Sequence, residues 1–265
     1  MRSWQDIQEM NLTVFSDMKN KKVLISGASG GIGQSIAGLF ADFGANIGLH
    51  YNSSTDEAEK LQKRISGNGV RAELFQGNLL DANVRSELVD SFVSSFGGID
   101  ILINNAGAVY DYKDFSQLDE QAWDNTYGLN VKAPFFLIRQ AFEQMKENEG
   151  GRIINITTAS AKYGGGSNNM HYVASKAALD TLTLGFARAG SKYNILVNSI
   201  RCGIIDTPMR TRIDGYSEQR FEQRVSLVPL GRAGQAIDIA RMALFLASEG
   251  GDYITGQTFA VSGGE

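Results

Sequence analysis

From Lys22 to near the C-terminus, short apolar runs alternate with longer amphipathic ones, a rhythm that restricts the chain to repeated strand–helix–strand units. The strand candidates are Lys22–Ser26, Asn46–Tyr51, Arg71–Gln76, Ile99–Asn104, Arg152–Thr157, Asn194–Ile200 and Thr258–Val261. Runs such as Val23-Leu24-Ile25 and Ile101-Leu102-Ile103 are hydrophobic at every position. A strand covered on both faces needs this, so the expected sheet is parallel and central. Helical patterns occupy the intervals at about 32–43, 56–66, 82–96, 119–148, 171–190 and 235–248. No repeat, linker or composition shift divides the 265 residues. The expectation is one α/β domain over 21–265, preceded by a polar leader at 1–20.

The exclusions follow from composition. With 43% hydrophobic residues, and 30 glycines that keep no three-residue period, the chain is neither disordered nor collagen-like. A net charge of −4 argues against nucleic acid or an anionic membrane surface as partner. Cys202 is the single cysteine and can close no internal disulfide, which suits a reducing compartment. No stretch approaches about 18 consecutive apolar residues, and the N-terminus lacks a signal-peptide pattern. A soluble cytoplasmic protein is expected. His50 and His171 join no ligand cluster, so no metal is expected.

The first strand candidate runs into Ser26-Gly27-Ala28-Ser29-Gly30-Gly31-Ile32-Gly33, which in turn opens the first helix. A dinucleotide-binding turn occupies that context. Glycine there permits positive φ, lets backbone approach a pyrophosphate and lets the helix pack close to the strand, while the helix N-terminus offers free N–H groups to the phosphates. A plain flexible turn is the bland alternative. Farther on, Tyr172 and Lys176 stand four residues apart and share one face of a helix. A neighbouring ammonium favours phenolate, so the pair is expected to lower the tyrosine pKa and equip it for general acid–base work. A half-exposed tyrosine beside a solvated lysine is the alternative.

Four motifs occur in order: Gly27-x-x-x-Gly31-x-Gly33, Asn104-Asn105-Ala106-Gly107, Tyr172-Val173-Ala174-Ser175-Lys176 and Tyr253-Ile254-Thr255-Gly256-Gln257. Over roughly residues 20 to 264 the chain resembles the short-chain dehydrogenase/reductase family, and its motif set looks like the 3-oxoacyl-[acyl-carrier-protein] reductase branch. The resemblance implies a single doubly wound Rossmann-type domain with a central seven-stranded parallel sheet. It also implies hydride transfer between a nicotinamide cofactor and a carbonyl or secondary alcohol. A homotetramer or dimer assembled through the helices near 119–148 and 171–190 is the implied assembly.

Carried over residue by residue, Tyr172 would protonate the carbonyl oxygen and Lys176 would hydrogen-bond the nicotinamide ribose. Asn130 would kink its helix and hold a water toward the lysine, a helix-surface amide being the alternative. The family serine after the fifth strand is replaced in Thr157-Thr158-Ala159-Ser160. Alignment from the strand assigns its role to Thr158, with Ser160 as the alternative. Asn104 would brace the sheet. Gly27, Ser29, Gly31, Ile32 and Gly33 would meet the cofactor, as would Asn105, Ala106 and Gly107, together with Gly203, Ile205 and Thr207. Cys202 stands where the family usually has proline, and Ser262 where it often has aspartate.

NAD sites usually place a carboxylate about 20 positions after the glycine turn, and here that stretch reads His50-Tyr51-Asn52-Ser53-Ser54. Neutral donors at Asn52, Ser53 and Ser54 point toward NADP, with NAD as the alternative. Ser54 and Glu57 also match a capping box for the next helix. Asn78 and Leu79 stand where the family contacts adenine. The irregular stretch 204–230, with Arg210, Arg212, Arg220 and Arg224, reads either as a substrate lid or as a solvated excursion. The departures at Thr158, Cys202 and Ser262 motivate a second hypothesis, a catalytically weak regulatory or redox-sensing dinucleotide binder.

Overall fold

A computed structural model describes residues 15–208 and 217–265. Seven strands form one parallel sheet: β1 (Lys22–Ser26), β2 (Asn46–Tyr51), β3 (Ala72–Gln76), β4 (Ile101–Asn104), β5 (Gly151–Thr158), β6 (Ile195–Cys202) and a last strand, Thr258–Val261. Their order is β3-β2-β1-β4-β5-β6 followed by the last strand. Each strand candidate coincides with an observed one to within two residues at either end. The chain winds outward from β1 in one direction and then from β4 in the other. Such a reversal opens a crevice beyond the carboxyl ends of β1 and β4.

The helices are α1 (Gly31–Asp42), α2 (Thr55–Ser66), α3 (Ala82–Phe96), α4 (Glu120–Tyr127), α5 (Ala133–Glu147), α6 (Met170–Gly190), α7 (Glu218–Val225) and α8 (Ala236–Ala247). Strand period divides the core in two. Val23 and Ile25 pack with Ile36 and Phe40 of α1 and Ile239 and Leu244 of α8, whereas Leu24 faces Phe92 of α3 and Leu137 of α5. All nine side chains are buried, and burying each one fully stabilises the fold by about 1.5–3 kcal/mol. The unbroken hydrophobic runs are thereby explained, because each face of the sheet has its own helical layer.

Four expectations are corrected. The single helix expected over 119–148 is two helices, and the kink expected at Asn130 takes the form of a π turn at Gly128–Lys132, because Asn130 bonds inward rather than to solvent. Within 204–230 lie the two-residue strand β7 (Ile205–Asp206), which pairs with β8 (Gly234–Gln235) beyond that stretch, and the polar helix α7. Arg210 and Arg212 lie outside the described residues. The capping box at Ser54 does not form, since that residue makes no side-chain capping bond. Finally, residues 15–20 pack on the domain: Met18 is fully buried and the Phe15 ring meets Phe43 edge-on at 5.4 Å. The remainder of the leader lies outside the described residues. In chain order the last strand is β9 (Thr258–Val261).

Candidate active site

A cleft of about 480 Å³ opens over the carboxyl ends of β1, β4, β5 and β6, at the reversal of strand order. It gathers residues from seven separate parts of the sequence. Gly27, Ser29, Gly31 and Ile32 line it from the first turn, and Asn52, Ser53 and Ser54 from the end of β2. Asn78 and Leu79 follow β3, and Asn105, Ala106 and Gly107 follow β4. Thr158, Ser160, Tyr172 and Lys176 come from β5 and α6, while Gly203, Ile205 and Thr207 follow β6. Two expected residues stand behind the lining. Gly33 is one, and its role is packing: a Cβ there would stand 2.5 Å from Gly27 O and 2.8 Å from Ala28 Cα. Asn130 is the other, fully buried.

The first turn is fixed by its neighbours. Gly27 takes φ +65°, a conformation that L side chains rarely adopt, and a Cβ on it would meet Ala106 Cα at 2.9 Å. Asn105 Nδ2 donates to Ser26 O at 3.1 Å and to Gly27 O at 2.9 Å, tying the turn to β4. The α1 N-terminus has no acidic residue in its first turn and a glycine at its cap, so its amide groups face the cleft without a competing carboxylate. The described lining residues include Lys176, Arg220 and Arg224 and no aspartate or glutamate. Although the chain's net charge is −4, the described lining thus sets no carboxylate against the anionic phosphates of a dinucleotide.

Tyr172 and Lys176 lie one turn apart on α6, as their spacing requires. Lys176 is buried, and its Nζ donates to Ile156 O at 2.9 Å. A Cβ on Gly107 would stand 2.8 Å from that Nζ and 3.0 Å from Asn130 Oδ1, so the glycine leaves a notch between them. Burial pulls the ammonium down to about 8, against the opposing pull of Cys202 and Asp180. Tyr172 differs from expectation: its phenol is raised above its ordinary value, chiefly by burial and next by Cys202. Removing water from a phenolate disfavours it, so the protein groups alone keep Tyr172 protonated. Burial likewise pushes the Cys202 thiol up to about 12, partly offset by Lys176, so the thiol stays neutral beside them.

Around this pair lies a network that the motifs alone did not reveal. Asn130 Nδ2 donates to Ala108 O at 2.9 Å and to Ser175 Oγ at 3.0 Å, and its Oδ1 accepts from Ala108 N at 3.1 Å. Ser175 Oγ in turn donates to Tyr172 O at 2.6 Å, joining the π turn to the start of α6. The surface-amide alternative for Asn130 is thereby excluded. Asp180, one further turn along α6, accepts from Thr157 Oγ1, Ser199 Oγ and Arg201 Nε at 2.9, 2.7 and 2.8 Å. It clamps β5 and β6 beside Thr158. Asn104 braces β4 on β5 through Asn155 at 2.8 Å. His171 points away, its Nε2 on Tyr110 O at 2.9 Å.

Both candidate hydroxyls reach the cleft. Thr158 ends β5, paired with Cys202 across the sheet, and its Oγ1 accepts from Ser160 N at 3.3 Å. Accepting there leaves the Thr158 O–H proton to donate elsewhere. Ser160 sits in the short turn Ala159–Lys162 that follows.

Comparison with known proteins agrees with this geometry. A family model described as Enoyl-(Acyl carrier protein) reductase matches residues 27–265. A 3-oxoacyl-[acyl-carrier-protein] reductase FabG of Staphylococcus aureus (strain Mu50) is 38% identical over 244 residues, covering 92% of this chain and 97% of that protein. Among solved structures, a mutant Serratia marcescens short-chain dehydrogenase/reductase superposes with a TM-score of 0.86 at 32% identity, covering 93% and 98% of the two chains. A blue fluorescent protein from a metagenomic library, in complex with NADPH, gives 0.85 at 34% identity, covering 92% and 98%. A parallel sheet with its crevice at the strand reversal, a glycine turn, a Tyr-x-x-x-Lys pair whose lysine is buried, and these relatives agree. The chain belongs to the short-chain dehydrogenase/reductase family and is a nicotinamide-dependent oxidoreductase acting on CH–OH groups.

Proposed function

We propose that this enzyme is an NADP-preferring reductase of a carbonyl compound, with a 3-oxoacyl thioester as the first candidate substrate. The observation that carries the reading is the convergence of Tyr172, Lys176 and Thr158 on one cleft whose described lining carries no aspartate or glutamate. When bound there, the nicotinamide supplies the hydride. Tyr172, held protonated by burial, gives its phenolic proton to the carbonyl oxygen as negative charge develops there. Thr158 donates a second hydrogen bond to that oxygen. Lys176, anchored on Ile156 O, keeps two further N–H donors for the cofactor ribose and for the phenol. Asn130 fixes the α6 start through Ser175.

The absence of a carboxylate at Asn52, Ser53 and Ser54 supports a 2′-phosphate there, as does the missing capping bond at Ser54. The solved relative with NADPH is consistent with that preference. The thioester reading rests on the named relative, and α7 adds support by turning Arg220 and Arg224 to the cleft as a lid segment. A panel of 3-oxoacyl thioesters, sugars, polyols and steroid ketones, each with NADPH and NADH, tests both points. We expect the largest kcat/KM with a thioester and NADPH. A higher kcat/KM with NADH would overturn the cofactor preference, and a sugar or steroid winner the substrate class. The regulatory alternative gains no support, because the relatives are named as oxidoreductases.

Within the site, Thr158→Ala should lower kcat more than Ser160→Ala. The reverse order in steady-state assays would move the catalytic hydroxyl to Ser160. We further propose a cytoplasmic homo-oligomer, since Phe135 of α5 and Leu184 of α6 are exposed on neighbouring helices and the Phe135 and Phe186 rings lie 5.4 Å apart. Sedimentation should show a dimer or tetramer that Leu184→Glu weakens. Among the described residues, no helix is long and apolar enough to cross a membrane.

A further inference from the structure

His50 joins no metal-ligand cluster in the sequence, yet the structure puts it at a junction. It is 2% exposed, at the end of β2, and borders the cleft. Its ring spans two segments that the chain itself keeps far apart. Nδ1 lies 3.2 Å from Gly27 N, and Nε2 lies 3.0 Å from Gly77 O at the end of β3. The His50 carbonyl also accepts from Ala28 N at 2.8 Å, so side chain and backbone together meet two successive amides of the glycine turn.

These partners decide the protonation state. A carbonyl can only accept, so Nε2 must carry a proton; the Gly27 N–H can only donate, so Nδ1 must be bare. An imidazolium would turn an N–H toward another N–H. The ring's burial removes that conflict by holding it neutral, with its pKa lowered to about 4.

We propose that His50 is a positioning residue for the cofactor, a neutral strut that sets the glycine turn at a fixed distance from the Gly77–Asn78 segment where the adenosine half would lie. Gly27 is then held from both sides. Asn105 from β4 donates to its carbonyl, and His50 from β2 accepts from its amide. The residue has no reach to the reacting carbonyl through these bonds, so its influence falls on cofactor affinity rather than on proton transfer.

This role rests on the dinucleotide reading of the cleft, and the two fail differently. The full-length protein, its His50→Leu variant and its His50→Asn variant are titrated with NADPH and with NADH by fluorescence. The asparagine Oδ1 can still accept from Gly27 N, whereas leucine cannot. We expect His50→Leu to weaken NADPH binding by about tenfold or more and His50→Asn to stay within about threefold of the parent, with kcat at saturating NADPH unchanged within about twofold in both. Equal affinity in a folded His50→Leu variant overturns the role, as does a fall in kcat without a change in affinity. Should leucine prevent folding, an asparagine variant that binds as weakly as a Gly27→Val variant overturns it as well. A parent that binds neither dinucleotide overturns the cofactor reading itself, and this role with it.

The tautomer gives a readout independent of turnover. In 15N-histidine NMR the chain has two imidazoles to assign, His50 and His171. The His50 signal should show a bare Nδ1 and a protonated Nε2, unchanged from about pH 8 to about pH 5. An imidazole at this position that titrates near 6.5, or carries its proton on Nδ1, overturns the strut.

Discussion

Tyr172→Phe should abolish most carbonyl reduction while leaving the dinucleotide bound. The substitution keeps the ring and its packing, keeps the Ser175 bond to the residue 172 carbonyl, and deletes the proton that the reduced oxygen needs. General acid catalysis of this kind contributes about 10²- to 10⁴-fold, or about 3–5 kcal/mol of barrier. The expected result is a kcat lowered by that factor, an NADPH dissociation constant within about threefold of the parent, and an unchanged melting temperature. A variant that retains full turnover would remove Tyr172 from the mechanism. The raised phenol adds a directional expectation: in the free protein Tyr172 is already in its acid form, so reduction needs no prior protonation step.

Lys176→Ala should have the second-largest effect, and pH separates its role from simple support. In the free enzyme burial lowers the Lys176 ammonium to about 8, so its charged fraction falls as pH rises through that value. The ratio kcat/KM for the dinucleotide reports groups in the free enzyme. It should therefore decline above about pH 8 in the parent. Lys176→Ala should lower it at pH 7 by about 10²-fold or more and flatten the profile around pH 8. A variant whose profile still bends there would assign the limb to another group. The Cys202 thiol is a poor candidate, because burial pushes it up to about 12.

Much of the fold was legible because its signals are local. Val23-Leu24-Ile25 announces a doubly covered strand, and Val23 and Ile25 do join one core while Leu24 joins the other. Helix boundaries followed where caps or glycines stood, as at α3, whose Asp81 cap accepts from Asn83 N and whose end is Gly97 at φ +73°. The break inside 119–148 was legible only through the family resemblance, which put a kink at Asn130. Apolar periodicity continues through it, and only the buried partners of Asn130 reveal why the helix widens there. The strand pair β7–β8 escaped notice for a similar reason. Two residues are too short to show a period, and Ile205 finds Gly234 only through tertiary contact.

The site divides along the same line. Residue type and order alone named the turn at Gly27, the pair Tyr172 and Lys176, and the acid-free stretch Asn52 to Ser54, since each depends on close sequence spacing. Tertiary structure decided what those residues experience. It raised the Tyr172 phenol where the spacing argued for lowering, because desolvation depends on everything packed around the ring and not on the lysine four positions away. It showed what Gly33 packs against, and it drew His50, Asp180 and Arg201 into service through contacts between segments distant in the chain. A linear pattern specifies which groups can meet along one element, whereas burial and long-range hydrogen bonds exist only once the elements are assembled.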